Sequence, residues 1–549
     1  MKVAEYVVKF LEENKVVYIF GIPGAHVLSV YDELLKSKIQ SIQVTHEQSA
    51  GFMADVYSRV SHKPGVVLTT AGPGVLNVVN ATAQAFVESS ALFIIGANCK
   101  KKFWGKGCYH ELKTPDVQMN IFKEITKFSS RVFDGKEVIE KISKAYAVCC
   151  EGRPRPVFLE IPEDVFEEEV SGNLNYSIQK AEKLKPTEDQ INAFMLKLKS
   201  SKSPLIIAGG GIVISGAQEE LIDFSKKLNI PITTTIMGKS SCPSLFEYNL
   251  GFCGPFFSNP LAINKVLNSD LIIAIGTRFD ELATGFFTLK INGKLIHVDI
   301  DSSEFNKNYV CDMAICSDAK VFLSSVLNKI NQNNVNEYKK SFLLSDRDSK
   351  LIECEDSKKV INKINPNFLI SKIGEHFLNK EAIFVGDAGN SSSWLLGLPV
   401  QKNQLIITPS GYNSMGFSVP GAIGAKLAAP NSEVICLCGD GSFLMTGLEL
   451  LTAIAKKIKL ICIVLHDKEY NMLTIFQDKN YGGRYSDTFI NTFNFAEFVN
   501  TNGGLGILIN QNEGIRGALE KASAYDGVSL IEVMIDSELI PPILSKLKN

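Results

Sequence analysis

Two aspartates in the C-terminal third of the chain, Asp440 and Asp467, have a spacing that suits a metal site. Asp440 lies in the turn-like stretch Gly439–Ser442, and Asp467 follows 27 residues after Asp440. The apolar run Phe443–Ala455 and the β-rich run Lys459–Leu465 separate them, which predicts a helix and then a strand that return both carboxylates to one edge of a sheet. Mg²⁺ prefers oxygen ligands and commonly takes one or two carboxylates together with phosphate oxygens.

The residues around Asp440 also favour an anion. Gly439 and Gly441 let a phosphate approach the backbone, and a helix beginning near Ser442 would direct its free N–H groups at anionic oxygens. A tight turn before an ordinary crossover helix explains this tetrapeptide equally well when it is taken alone. The spacing to Asp467 and further motifs along the chain favour the metal–phosphate interpretation.

Segments spread over nearly the whole chain together resemble the thiamine-diphosphate (ThDP) enzymes, and within them the acetolactate synthase group. Each segment alone is a weak signal, whereas their order and spacing are specific. Besides Gly439–Ser442 and Asp467, the segments are Phe20–Ala25, His46–Asp55, Thr70–Gly74, Ile125–Lys127, Gly152–Pro156, Gly276–Asp280, His297–Asp301 and Met415–Phe417.

The resemblance implies a reaction. It predicts ThDP- and Mg²⁺-dependent decarboxylation of a 2-oxo acid, with pyruvate as the default, followed by ligation to a second carbonyl compound. A simple 2-oxo acid decarboxylase that releases an aldehyde is the second hypothesis, motivated by His110. A non-catalytic subunit that retains the fold is a third, which the presence of Glu47, Asp440, Gly441 and Asp467 argues against.

Glu47 is the predicted catalytic residue. It follows a predicted strand at Ser41–Val44 and opens a helix, where an acidic side chain is also explained by the helix dipole alone. The resemblance implies a more specific role, because Glu47 matches the glutamate that hydrogen-bonds the pyrimidine ring of ThDP and so activates it. The cofactor carries the chemistry, and the protein orients and polarises it.

The resemblance also assigns the residues that hold the diphosphate and the metal. Asp440, Asp467 and the main-chain carbonyl of Glu469 are the implied metal ligands. Most relatives have asparagine where Asp467 stands, whereas the catabolic, FAD-independent acetolactate synthases share the aspartate. The implied cofactor-binding residues are Gly389, Asn390, Ser391, Asn413, Met415, Gly439, Gly441, Ser442 and Met472.

Substrate contacts are predicted on two sides of the cofactor. Gly24 and Ala25 match small residues that leave room for a 2-oxo acid, and Phe476 is expected to form an apolar wall with Met472. His110 and Gln118 fall in the segment that corresponds to a substrate-facing loop. A surface position explains His110 equally well.

The middle of the chain raises the question of a second cofactor. A strand that ends in three glycines suits a dinucleotide, and a helix packed closely on the strand explains it equally well. The segments resemble the flavin-contacting parts of the biosynthetic acetolactate synthases, so FAD is left open as a prediction. The residues concerned are Gly209, Gly210, Gly211, Thr234, Arg278 and Asp299.

The alternation of short apolar strands with helical periodicity predicts an α/β protein whose sheets are mainly parallel. A chain of 549 residues exceeds a single core and predicts about three domains. We expect a pyrimidine-binding domain at residues 1–170, a central Rossmann-like domain at 187–330, a linker at 331–363 and a diphosphate-binding domain at 364–549. The first and last of these are predicted to be related.

Bulk composition excludes several function classes. A formal charge of −2 gives no basis for binding nucleic acid or a membrane surface, and no apolar stretch is long enough to span a bilayer. The twelve cysteines show no regular pairing and are expected to be reduced, and no targeting segment is evident, so we expect a cytoplasmic protein. The resemblance further implies a homodimer or homotetramer, because two chains hold each cofactor in this family.

Overall fold

The computed structural model describes residues 1–172, 174, 176, 178, 182–254, 260–332, 336, 338–340 and 363–541. These residues form three six-stranded parallel sheets flanked by helices, which confirms the predicted fold class. Most of the linker predicted at 331–363 lies outside the described residues, and its first two residues end a helix of the central domain. The domain limits given above stay predictions.

The N-terminal sheet has the strand order β2-β1-β3-β4-β6-β5. Its strands are β1 (Tyr18–Gly21), β2 (Gln40–Gln43), β3 (Gly65–Thr69), β4 (Leu92–Asn98), β5 (Phe128–Arg131) and β6 (Val157–Pro162). The helices around it are α1 (Val3–Glu13), α2 (Leu28–Leu34), α3 (Glu47–Ser61), α4 (Pro73–Asn77), α5 (Val79–Glu88), α6 (Val117–Ile125), α7 (Val138–Cys150) and α8 (Glu163–Phe166).

The central sheet has the order β12-β11-β10-β7-β8-β9, which is the doubly wound order of dinucleotide-binding folds. Its strands are β7 (Pro204–Ala208), β8 (Ile232–Thr234), β9 (Asn249–Phe252), β10 (Leu271–Ile275), β11 (Lys294–Asp299) and β12 (Met313–Cys316). Its helices are α9 (Glu188–Ser200), α10 (Gly210–Ser215), α11 (Gln218–Leu228), α12 (Pro260–Asn268), α13 (Glu281–Thr284) and α14 (Ala319–Gln332).

The C-terminal sheet has the order β14-β13-β15-β16-β18-β17. Its strands are β13 (Ala382–Gly386), β14 (Gln404–Ile407), β15 (Glu433–Gly439), β16 (Leu460–His466), β17 (Leu505–Ile509) and β18 (Val528–Met534). Its helices are α15 (Pro366–His376), α16 (Asn390–Leu395), α17 (Ser418–Ala428), α18 (Asp440–Thr446), α19 (Leu450–Ala455), α20 (Asn471–Tyr481), α21 (Phe495–Thr501) and α22 (Gly514–Ala524).

The first and third sheets share one topology. Numbered within its own domain, each sheet has the strand order 2-1-3-4-6-5, as expected for two related domains. Helices α3 and α17 are therefore equivalent, because each follows the second strand of its sheet. These two helices pack against each other, and Gly424 approaches so closely that a Cβ built on it would lie 2.1 Å from the carbonyl oxygen of Met53.

This helix pair places the N- and C-terminal domains around one continuous hydrophobic core. Polar contacts reinforce the junction beside the predicted site. The carboxylate of Glu449 accepts hydrogen bonds from the backbone N–H (3.1 Å) and the hydroxyl (2.7 Å) of Thr45. The side chain of Asn80 donates to the hydroxyl of Ser414 at 2.7 Å. The two domains are thus fixed relative to each other next to Glu47.

The run Phe443–Ala455 differs from the single helix expected for it. Helix α18 ends at Thr446, a 3₁₀ turn spans Gly447–Glu449, and α19 begins at Leu450. The turn positions the buried Glu449 toward the N-terminal domain, where it receives the hydrogen bonds of Thr45. A tertiary contact to a residue far away in the sequence thus overrides the local helical pattern.

Two further features bear on the sequence predictions. Within the described part of the chain, none of the helices is long and apolar enough to cross a membrane. The eleven cysteines of the described residues are free thiols, and seven of them are buried.

Candidate active site

Asp440 and Asp467 meet at the carboxyl ends of the neighbouring strands β15 and β16, as their spacing predicts. Asp440 is 1% exposed, and its carboxylate accepts the backbone N–H groups of Gly441 and Lys468, both at 2.7 Å. Burial and the negative charges of Asp440 and Glu469 raise the pKa of Asp467 to about 8. Two carboxyl groups that oppose each other's ionisation form a site that a divalent cation would stabilise.

The segment that carries the third predicted ligand is held by a neighbouring loop. Glu469 pairs with Phe489 in an isolated bridge, and the Tyr470 N–H donates to the carbonyl of Thr488 at 2.7 Å. Gly441 is required here, because a Cβ on it would lie 2.5 Å from the ring of Tyr470. At Gly439, by contrast, no atom lies within 4 Å of a Cβ built on the residue. Ser442 is buried in the first turn of α18.

A second turn, after β13, faces the same edge of the sheet. Gly389 has a positive φ of 81° and open space where a side chain would stand. The amide nitrogen of Asn390 donates to Asn471 at 2.6 Å, whereas its Oδ1 is buried without a partner among the described residues. Ser391 is buried. An unsatisfied buried oxygen beside open backbone indicates room for a polar ligand.

Asp387 organises this turn, and the sequence analysis missed it. Its buried carboxylate accepts backbone N–H groups from Ala388 (2.9 Å), Gly416 (2.9 Å) and Ser418 (2.7 Å). It therefore ties the turn before Gly389 to the segment that carries Asn413 and Met415. The signal was present as a carboxylate directly after a buried strand, in Gly386-Asp-Ala-Gly389.

The predicted apolar residues lie around this edge. Met415 is half-buried, next to the buried Ser414, and Asn413 has a left-handed backbone with a φ of 62°. Met472 and Phe476 stand one turn apart on α20, a helix that contains no fully buried residue. A helix so loosely covered leaves its side chains available to a ligand.

Glu47 begins α3 and is 7% exposed. Its Oε2 accepts a hydrogen bond from the side-chain amide of Asn77 at 2.8 Å, and a Cβ on Gly74 would lie 3.3 Å from its Oε1. Asn77, at the end of α4, is a second residue that sequence reasoning missed. The carboxylate is thus held at one side of the turn Thr70–Gly74.

Three of the four predicted substrate residues of the N-terminal domain contact the same turn. Gly24 packs on Thr70, whose side chain lies 2.5 Å from a Cβ built on Gly24. Ala25 is exposed and instead lines a cavity of about 390 Å³ on the side of α1 and α2, away from this turn. Gln118 is buried and accepts the Gly72 N–H at 2.6 Å while its amide donates to Glu160. His110 is half-buried with its backbone against Gly72.

The residues predicted for FAD lie elsewhere and already have protein partners. Gly209 and Gly211 allow the turns after β7 and β10 to touch, since a Cβ on either would lie within 2.6 Å of Gly276. Arg278 donates to Asp280 at 3.0 Å, and Asp299 accepts the backbone N–H of Asp301 at 2.9 Å. Close backbone packing and ion pairing account for these contacts, and bound FAD stays a prediction. Gly210 packs on Met237 and Thr234 is buried in β8.

Comparison with known proteins accounts for this arrangement. Residues 1–120 match the thiamine pyrophosphate enzyme N-terminal TPP binding domain, 191–326 the central domain and 387–533 the C-terminal TPP binding domain. The chain belongs to the thiamine pyrophosphate enzymes. It is thus a ThDP-dependent enzyme, and both ends of its site lie within matched ThDP-binding domains.

Relatives from several organisms match along almost the full chain. A probable acetolactate synthase large subunit of Methanococcus aeolicus is 31% identical over 99% of this chain and 94% of its own length. The acetolactate synthase large subunits of Haemophilus influenzae and Buchnera aphidicola are 31% and 32% identical, each over 98% of this chain and 96% of their own length.

The residues present fit ThDP and a divalent cation. The open backbone at Gly389 and Gly439 suits a diphosphate, and the carboxyl groups of Asp440 and Asp467 suit the cation. When bound, ThDP supplies a carbon nucleophile that removes CO₂ from a 2-oxo acid and transfers the remaining acyl unit.

Proposed function

We propose that this protein is an acetolactate-synthase-like carboligase that decarboxylates a 2-oxo acid, with pyruvate as the default, and joins the product to a second carbonyl compound. The observation that carries the proposal is the coexistence of a buried Glu47 with a paired-carboxylate site at the carboxyl edge of the C-terminal sheet. The names of the full-length relatives support the same reaction.

In this proposal Glu47 hydrogen-bonds the pyrimidine ring nitrogen of ThDP. Asn77 fixes the Oε2 of Glu47 and leaves Oε1 beside Gly74, where the absence of a side chain keeps the approach open. The low exposure of the carboxyl excludes competing water, so a proton shared between Glu47 and the ring stays within that hydrogen bond.

Asp440, Asp467 and the carbonyl of Glu469 would hold Mg²⁺, and Gly389, Asn390, Ser391, Gly441 and Ser442 would bind the diphosphate. The bound cation offsets the repulsion that raises the pKa of Asp467. Met415 would support the cofactor between its two ends, and Met472 and Phe476 would cover it from α20.

Replacing Glu47 by Gln tests the role of this carboxyl. Gln keeps the size and the hydrogen bond to Asn77 and removes the acid, so we expect turnover of pyruvate to fall by about 10²-fold or more with ThDP affinity little changed. Gln48→Glu, which adds an acid at the next position, should not restore turnover in the Glu47→Gln background. Parental turnover in Glu47→Gln would refute the assignment.

Product analysis separates the proposal from its alternatives. Pyruvate should yield acetolactate. Acetaldehyde without a C–C coupled product would identify a simple decarboxylase, the alternative that His110 motivates. Failure to bind ThDP by calorimetry in the presence of Mg²⁺ would indicate a non-catalytic relative. Visible absorption of the purified protein near 450 nm reports FAD, which the reaction proposed here does not require.

We further propose a homo-oligomer in which Glu47 of one chain serves a cofactor bound by the C-terminal domain of another. Apolar side chains next to Asp440 support a second copy as the neighbour of this face: Leu444, Met445 and Leu448 are 40%, 51% and 56% exposed. A second copy would bury them beside the cofactor.

Mixing two inactive variants tests this assembly. If cofactors lie between chains, Glu47→Gln and Asp440→Asn subunits exchanged in equal amounts should recover about a quarter of the parental activity, because half of the dimers contain one intact site of two. If each chain builds its own site, the mixture stays inactive. Size-exclusion chromatography of the parent checks that the active species exceeds one chain.

A further inference from the structure

The turn Thr70–Gly74 carries a second polar cluster besides Glu47 and Asn77. The imidazole of His26 is buried, and its Nδ1 lies 3.0 Å from the hydroxyl of Thr70. Its ring centroid is 5.2 Å from that of His110, and the ring of Tyr109 stacks on His110 at 3.8 Å. Sequence reasoning did not single out His26.

The backbone holds His110 in an unusual conformation. His110 has a φ of 70° and Gly72 a φ of 63°, and a Cβ at Gly72 would lie 2.7 Å from the His110 carbonyl oxygen and 2.9 Å from its Cβ. Non-glycine residues with left-handed backbones of this kind are uncommon and concentrate at functional sites. The backbone N–H of Gly72 also donates a hydrogen bond to the side-chain oxygen of Gln118.

One ring nitrogen of His110 has no hydrogen-bond partner among the residues that the structure describes. Its Nδ1 is buried and makes no hydrogen bond within the described part of the protein. An unpaired buried polar nitrogen destabilises the folded state, so its retention beside an active-site turn points to a function. A solvated surface histidine would not show this enclosure of a ring nitrogen.

His26 is suited to hold this group in place. Its ring forms hydrogen bonds with the Thr70 hydroxyl and the Tyr109 carbonyl. The titratable and charged groups near the ring are His110, Glu163 and Lys100. Burial lowers the pKa of His26, which keeps it neutral and able to accept from Thr70 while donating to the loop. Thr70 in turn packs on both Gly24 and Gly74, so the cluster is continuous with the wall beside Glu47.

We propose that His110 is the acid–base residue for the carbonyl oxygen of the substrate, and that His26 is the positioning residue that holds it there. The proposal rests on the proposed function. As the new C–C bond forms at the carbonyl carbon of the acceptor, the C=O π electrons move to its oxygen, which takes a proton from the His110 imidazolium. The neutral imidazole then regains a proton from water beside the exposed Tyr109.

Variants at both positions test the proposal in the holoenzyme. His110→Ala should lower kcat by about 10²-fold with a smaller change in KM, flatten the pH profile of kcat, and regain part of its activity when imidazole is added. His26→Leu should lower kcat by about tenfold, and His26→Asn should recover most of it because an amide can still accept from Thr70 and donate to the Tyr109 carbonyl. His62→Ala is the matched control: His62 also has a left-handed backbone, with a φ of 54°, but caps α3 away from the turn.

A readout without turnover accompanies these assays. In ThDP-free protein labelled with ¹³C at histidine Cε1, adding pyruvate should shift the His110 resonance, assigned by its absence in His110→Ala. The His62 resonance should stay in place, and the His110 response should be lost in His26→Leu and kept in His26→Asn.

The outcomes separate this inference from the proposed function. A parent that produces acetolactate while His110→Ala keeps the parental kcat, pH profile and spectrum overturns the role of His110 alone. A parent with no ThDP-dependent turnover overturns the proposed function. Loss of activity in His110→Ala without imidazole rescue and with an unchanged pH profile would reduce His110 to a structural residue and also overturn the inference.

Discussion

Replacing Asp467 by Asn should stabilise the cation-free protein at alkaline pH. Burial, Asp440 and Glu469 raise the pKa of Asp467 from 3.8 to about 8. The unfolded chain ionises this carboxyl near pH 4, whereas the folded, cation-free protein keeps it protonated up to about pH 8. The free energy of unfolding therefore falls as the pH rises across this interval, and asparagine removes that loss.

The size of the effect follows from the same shift. At about 1.4 kcal/mol per pH unit, a pKa raised from 3.8 to about 8 sets a ceiling of about 6 kcal/mol for the loss at pH 8 and above. Asp467 is only partly buried, and its surroundings can relax, so we expect about 2–3 kcal/mol. At about 2–4 °C per kcal/mol for a domain of this size, the Tm of the variant should exceed that of the parent by about 4–12 °C.

Thermal unfolding in EDTA at pH 5 and pH 8 measures the difference. The gain should be largest at pH 8 and small at pH 5, and Mg²⁺ with ThDP should raise the Tm of the parent more than that of the variant. Asp526→Asn is the matched control, since it removes one carboxylate from an exposed position of the same domain. An Asp467→Asn protein that is no more stable than the parent at pH 8 would refute the electrostatic reasoning.

Two further predictions concern the turns at the edge of the C-terminal sheet. Gly441→Ala should weaken Mg²⁺-dependent ThDP binding by at least about tenfold in calorimetry, because its Cβ would lie 2.5 Å from Tyr470. Gly517→Ala is the control: nothing lies within 4 Å of a Cβ there, so the variant should bind ThDP normally and gain up to about 1 kcal/mol of helix stability. Asp387→Asn should lower the free energy of unfolding in urea by about 2–4 kcal/mol, since an amide cannot accept three backbone N–H groups as a carboxylate does; an unchanged midpoint would contradict the role given to Asp387.

The two strands that the sequence predicts near the site agree with the structure to within one residue. The expected Lys459–Leu465 is β16 at Leu460–His466, and the expected Ser41–Val44 is β2 at Gln40–Gln43. Strand β5, at the edge of the N-terminal sheet, has one apolar residue among its four and carries no apolar run that would predict it. Periodicity reports burial, so it is weakest where a strand has one neighbour.

The candidate site shows the same division. Asp440 and Asp467 could be paired from the sequence because a strand–helix–strand unit fixes where its ends meet. His26, Asn77 and Asp387 could not, because their roles depend on turns that touch only in three dimensions. Motif recognition likewise could not reveal that Gly209 and Gly211 serve the approach of Gly276.

The shared interior of the first and third domains limits how this enzyme can be divided. Helices α3 and α17 pack tightly at Gly424 and Met53. On that side, the apolar face of each domain is therefore covered by the other domain. A fragment cut between the central and third domains would expose this surface and precipitate. A gene encoding the two halves separately would therefore yield usable protein only when both polypeptides are synthesised together.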